Sequence, residues 1–183
     1  LAGHHVDVGT WFGRRVRDEI AKIGGLIPDY HAFFGFSTGS LEVLETLEGT
    51  GVLTIVDQVS PGPVEHDIVA QEVERWPGWA RQSPCESPAL QRRVAAEWDA
   101  ASLVLVNSEW SRSAIVEQGV PEEKLIVVPG AYEPPVDVES SIGDSSGPLR
   151  VLWLGSVVLR KGIQYLVQAA QKLTEANVEI TVA

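Results

Sequence analysis

Short apolar runs, each closed by a loop of small residues and followed by a stretch with helical spacing, recur along this chain and leave it few folds to choose from. Runs of this kind bounded by Gly and Pro read as strands buried in a parallel sheet. Strands that alternate with helices need crossover connections, which are right-handed. The expectation is therefore an α/β protein built on a doubly wound parallel sheet.

In order, Trp11 to Ile23 has helical spacing, with Phe12, Val16, Ile20 and Ile23 on one side and Gly24-Gly25 as its stop. Tyr30 to Phe36 is expected to be a buried strand, and Ser37-Thr38-Gly39-Ser40 to be the turn and cap of a helix ending at Leu47. Val52 to Val56 is a strand running into Asp57-Gln58 and the turn Ser60-Pro61-Gly62-Pro63, with a helix from Val64 to Arg75 after it. Trp76 to Ser87 reads as a loop. Pro88 opens a helix carrying Leu90, Val94, Ala95 and Trp98. Leu103 to Val106 is a strand, Ser108 the N-cap of a helix from Glu109 to Gln118, and Leu125 to Val128 a further strand. Pro134 to Pro148, rich in Pro, Ser, Gly and acid, reads as a linker.

Composition bounds the function. Net charge is -11, which argues against a nucleic-acid partner, since binding polyphosphate needs basic surface. Hydrophobic residues at 44% and charged residues at 21% are enough for an ordinary packed core. Cys85 is the sole cysteine, so an intramolecular disulfide is impossible and a cysteine zinc site is not supported. No apolar run approaches the roughly 20 residues of a transmembrane helix and no signal-peptide pattern opens the chain, so the expectation is a cytoplasmic protein. The chain contains no Met and ends inside the apolar alternation Val178, Ile180, Val182, as an internal segment of a longer product would.

After the linker a second strand-loop-helix begins. Val151 to Leu154 is a strand closed by Gly155, and from Ile163 the residues Leu166, Val167, Ala170 and Leu173 continue one helix face. The intervening loop ends in Arg160-Lys161-Gly162, with Lys161 expected on the helix's first turn, and two cations beside free backbone amides at a helix N-terminus suit an anion such as a diphosphate. A piece this short does not bury a core of its own, because surface-to-volume scaling is unfavourable below about 40 residues. It is expected to lean on the first domain, on another copy of the chain by self-association, or on further sequence.

Two stretches, ASLVLVNSEWSRSAIVEQGVPEEKLIVVPGA from Ala101 to Ala131 and RVLWLGSVVLRKGIQYLVQAA from Arg150 to Ala170, resemble the retaining GT-B glycosyltransferases, specifically the large family 4 group. The resemblance implies a partial, Rossmann-like acceptor-side domain over residues 1–133, a linker over 134–148, and over 149–183 the first strand-helix-strand unit of a nucleotide-sugar-binding domain. It implies transfer of a sugar from a nucleoside diphosphate donor, as co-substrate, to an acceptor, with no resident cofactor and no metal. By position, Gly155 matches the family's loop glycine and Lys161 the lysine that neutralises the diphosphate. Ser156 stands where many members have arginine, with Arg160 directly before Lys161. The family's glutamate pair would fall after Ala183, its glycine-rich acceptor-side loop before Leu1, and its strand-start aspartate at Asp29, with His31 out of register. An isolated chain of this extent is expected to be inactive.

On the acceptor side the candidates are Asp57, at the end of a strand where α/β folds bind ligands, Ser37 and Thr38 at a helix N-terminus, His66 as a base on the next helix, and Ser108. Each has a plainer structural account as turn, cap or solvated residue. A GT-B-like sugar-nucleotide epimerase and a non-catalytic nucleotide-binding or interaction module are the alternative functions.

Overall fold

The computed structural model describes residues 2–22, 30–80, 87–133 and 147–183. Asp29, Cys85, the Gly24-Gly25 stop and most of the expected linker lie outside the described residues. The chain divides into two compact units: Leu1–Asp67 with Cys85–Gly130, and Ile68–Pro84 with Ala131–Ala183.

The first unit opens with a long helix, α1 (Ala2–Lys22), which starts earlier than the Trp11 expected and takes in His4 and His5. The strand β1 (Ala32–Phe36) leads through a tight loop into α2 (Leu41–Leu47), and β2 (Leu53–Gln58) into α3 (Pro63–Arg75). Then come α4 (Pro88–Ala100), β3 (Leu103–Val106), α5 (Glu109–Glu117) and β4 (Leu125–Val127). The four strands are all parallel and lie in the order β1-β2-β3-β4, with Phe36 beside Asp57 and Gln58 beside Val106. Each crossover steps the same way across the sheet, so among the described strands the winding has one direction. The reversal that would make it doubly wound is not among them.

A consequence follows for the two sheet faces. Right-handed crossovers stepping one way lay their helices on one side, and there Leu44, Val94, Trp98 and Ile115 close over Val56, Val104, Val106 and Leu125. On the other side the alternate residues of the same strands stay open, with Phe34 at 52%, Phe36 at 63%, Leu53 at 41% and Ile126 at 40% exposure. The sequence leads one to expect β1 to be buried, because its run is apolar throughout; it is instead an edge strand with one covered face.

In the second unit β5 (Leu149–Trp153) pairs in parallel with β6 (Val178–Val182), joined by α6 (Ile163–Lys172), the strand-helix-strand unit expected. The last turns of α3 belong here. The Glu72 carboxylate accepts from the Tyr165 hydroxyl at 2.7 Å and from Gln164 Nε2 at 2.9 Å, and Arg75 reaches both Glu72 at 3.1 Å and the Tyr165 oxygen at 3.0 Å. Trp76 packs edge-on against Tyr165 at 6.0 Å. The Tyr165 hydroxyl, then the Gln164 amide, hold the Glu72 carboxyl below its ordinary value.

Candidate functional site

Ser37, Thr38, Asp57 and Ser108 lie at or just beyond the carboxyl ends of β1, β2 and β3 in the four-stranded sheet. Ligands of open α/β sheets bind at this edge. The local chemistry differs from expectation in one central respect. Ser40 was expected to cap α2; its hydroxyl instead donates back to the Phe36 carbonyl at 2.8 Å and makes no cap bond. The cap comes from another helix.

Glu97 of α4, fully buried, accepts from the Thr38 amide at 2.6 Å, the Ser40 amide at 2.9 Å and the Leu41 amide at 3.1 Å. A helix N-terminus leaves amides without intrahelical partners, and a carboxylate meets them with favourable charge. One turn earlier, Arg93 donates from Nε to the Thr38 carbonyl at 2.7 Å and forks onto the Glu42 carboxylate at 2.9 and 2.6 Å, with Thr10 of α1 at 3.2 Å. The amides that a phosphate or hydroxyl would use are thus already committed to a carboxylate of the chain itself. Ser37 and Thr38 shape this edge through their backbone.

The ionisation of the network follows from its burial. Desolvation raises the Glu97 carboxyl above its ordinary value despite the three amides and Arg93. Burial also works to raise Glu42, but the two bonds from Arg93 override it and leave Glu42 below the usual carboxylate value. Arg93 is in turn raised: its desolvation is outweighed by Glu42.

The other acceptor-side candidates resolve individually. Asp57 sits on the open face of the sheet, between the inward-facing Val56 and Gln58, while its carbonyl accepts the Ser37 amide at 3.0 Å. Ser108 is the N-cap of α5, accepting from the Ser111 amide at 3.2 Å, and Ser111 Oγ donates to Asn107 Oδ1 at 3.0 Å. His66 is half-buried in the first turn of α3. Gln58, unremarked in the sequence, is a buried structural link: it accepts from Trp98 Nε1 at 3.0 Å and donates to the Ser60 carbonyl at 2.8 Å. Among the described residues no group of three or more His, Cys, Asp or Glu side chains is placed to hold a metal ion.

In the second unit the loop after β5 carries the remaining candidates. The Gly155 amide bonds the Ala183 carbonyl at 3.1 Å, tying the strand end to the end of β6. Ser156 follows, exposed, and its carbonyl accepts the Val158 amide at 2.8 Å. A single turn of 3-10 helix (Leu159–Lys161) then buries Leu159 and leaves Arg160 and Lys161 exposed. Lys161 was expected on the first turn of α6; it precedes that helix, separated from it by Gly162 at φ 77. This left-handed residue turns the chain so that both cations stand ahead of the helix N-terminus rather than along its side.

No described helix is long and apolar enough to cross a membrane. Neither a protein-family model, nor a curated protein, nor a solved structure matches the chain.

Proposed function

We propose that the chain is part of a retaining GT-B glycosyltransferase of the family 4 type, which moves a sugar from a nucleoside diphosphate donor to an acceptor. Gly155, Ser156, Arg160 and Lys161 meet the donor diphosphate, and the carboxyl edge of the four-stranded sheet, with Ser37, Thr38, Asp57, His66 and Ser108, serves the acceptor. The observation that carries this proposal is the β5 loop: a parallel strand ends at a glycine, and two exposed cations and a left-handed glycine lead into a helix N-terminus. Negative charge gathers on the nucleoside diphosphate as the sugar bond breaks, and fixed cations beside helix amides stabilise that charge without reorganising.

Donor binding is the property that the β5 loop itself implies for residues 1–183. Calorimetric titration with UDP, GDP and ADP tests it. One of the three is expected to bind, and Lys161→Ala to weaken that binding by about tenfold to a hundredfold, the loss of one charge-assisted contact of about 1.5–3 kcal/mol. Lys161 is exposed, so the variant keeps its stability. Absence of binding by all three at millimolar concentration, or an unchanged affinity in Lys161→Ala, contradicts the proposal.

A further inference from the structure

The loop between β1 and α2 is held in a conformation it would not choose alone. Thr38 has φ 75, a left-handed backbone that a β-branched residue adopts only when its surroundings impose it. Those surroundings are Glu97 and Arg93. Glu97 Oε2 accepts the Thr38 amide, Oε1 accepts the Ser40 and Leu41 amides, and Arg93 Nε holds the Thr38 carbonyl. Both carboxylate oxygens therefore act as acceptors, inside a side chain with no exposed surface.

A proton on either oxygen weakens this arrangement. It cancels the charge that strengthens the three bonds and takes up one lone pair, leaving the Thr38, Ser40 and Leu41 amides on a neutral, poorer acceptor. The same loop forms one wall of a groove of about 470 Å³, whose other walls include Trp11 and Phe12 of α1 and Phe34 and Phe36 of β1. Moving the loop changes the end of that groove at the carboxyl edge of the sheet.

We propose that Ser37–Ser40 is a proton-operated latch: Glu97 as a carboxylate holds it closed, and a proton on Glu97 releases it and reshapes the groove while the sheet and its helix layer stay folded. The charged groups around Glu97 allow it. Arg93, on the same helix, has Nε 3.8 Å from Oε1 and stays charged. Glu42 on α2 is held below the ordinary carboxylate value by Arg93, while Glu45 on α2 acts on Arg93 and Arg14 on α1 acts on Glu42. Burial presses Glu97 the other way, so as pH falls it takes up a proton before Glu42 does.

Amide hydrogen exchange resolved by residue tests the latch, with rates corrected for intrinsic chemistry. One proton linked to opening makes the open fraction rise about tenfold per pH unit as pH falls toward the midpoint and level off below it. Protection at Thr38, Ser40 and Leu41 is expected to fall at that slope on acidification, while Val56 and Val104 in the core stay protected. Glu97→Gln is expected to leave the three amides fast-exchanging with no residual pH dependence. Flat protection in the unaltered protein overturns the proposal, as does loss at all five sites together or the same pH slope in Glu97→Gln. In the unaltered protein, the carbon-13 titration of the Glu97 carboxyl must share the midpoint of the exchange transition. Separate midpoints overturn the latch even if the variant does not fold.

Discussion

Replacing Gly9 by alanine separates two views of α1 by the sign of a stability change. In a free-standing amphipathic helix, Gly→Ala stabilises by about 1 kcal/mol through helix propensity. Gly9 and Gly13, one turn apart, are both buried, and the helix lies close against the latch loop and α2. A Cβ at Gly9 would fall inside van der Waals contact with the Thr38 carbonyl oxygen, 3.1 Å from its carbon and 3.4 Å from Arg93 Nε. At Gly13 it would meet the Glu42 carboxylate and stand 3.1 Å from the Gly39 carbonyl oxygen. The Thr38 oxygen is backbone and accepts from Arg93, so it cannot retreat without breaking that bond. Either α1 shifts outward, an overpacking cost of about 1–3 kcal/mol, or the charged hydrogen bond goes, at about 1.5–3 kcal/mol. After the propensity gain of about 1 kcal/mol, the net effect of Gly9→Ala is about 0–2 kcal/mol of destabilisation. Urea unfolding read through the fluorescence of Trp98, 4% exposed in the core of this unit, measures it. A midpoint that rises in Gly9→Ala by the full propensity gain of about 1 kcal/mol refutes the packing described.

Two further outcomes follow from the same network. Arg93→Met removes the cation from a pair whose side chains are 6% and 11% exposed, leaving Glu42 and Glu97 uncompensated, and is expected to cost about 3–5 kcal/mol; adding Glu42→Gln recovers part of the loss, and a double-mutant cycle reads the coupling. Glu97 and Glu42 also give the stability of this unit opposite slopes with pH. The raised Glu97 contributes stability that is fully present below the unfolded carboxyl value of 4.5 and is lost as pH rises through its folded value. The lowered Glu42 contributes stability present above 4.5 and lost as pH falls through its folded value. Chemical denaturation against pH is therefore expected to show Glu97→Gln losing the gain that the unaltered protein makes on acidification toward 4.5 and keeping the decline in stronger acid.

The sequence made the elements legible because their apolar periods differ: strand runs ended within a residue or two of β2, β3 and β4, and Ser108 capped α5 as its position before Glu109 implied. Strand order is a long-range property with no local signature, so the one-way winding and the open sheet face could not be read from the runs alone. The capping carboxylate was missed for a physical reason too. On α4 the buried stripe is Leu90, Arg93, Val94, Glu97 and Trp98, whereas Ala95, expected on it, is exposed. Opposite charges at i and i+4 inside an apolar stripe are the signal that points to a buried polar role, since charges are seldom buried unless paired. On α1 the same lesson applies to Gly9 and Gly13: glycine lowers helix propensity, so a pair one turn apart in a long helix marks a close approach.

The proposed function turns most directly on where a nucleoside diphosphate touches the chain. An amide-resolved nuclear magnetic resonance titration with UDP, GDP and ADP locates it. The account predicts that one of the three gives saturable shifts centred on Gly155, Ser156, Arg160, Lys161 and Gly162, and that Lys161→Ala needs about tenfold to a hundredfold more nucleotide to reach them. Shifts centred elsewhere, or none at millimolar nucleotide, contradict it.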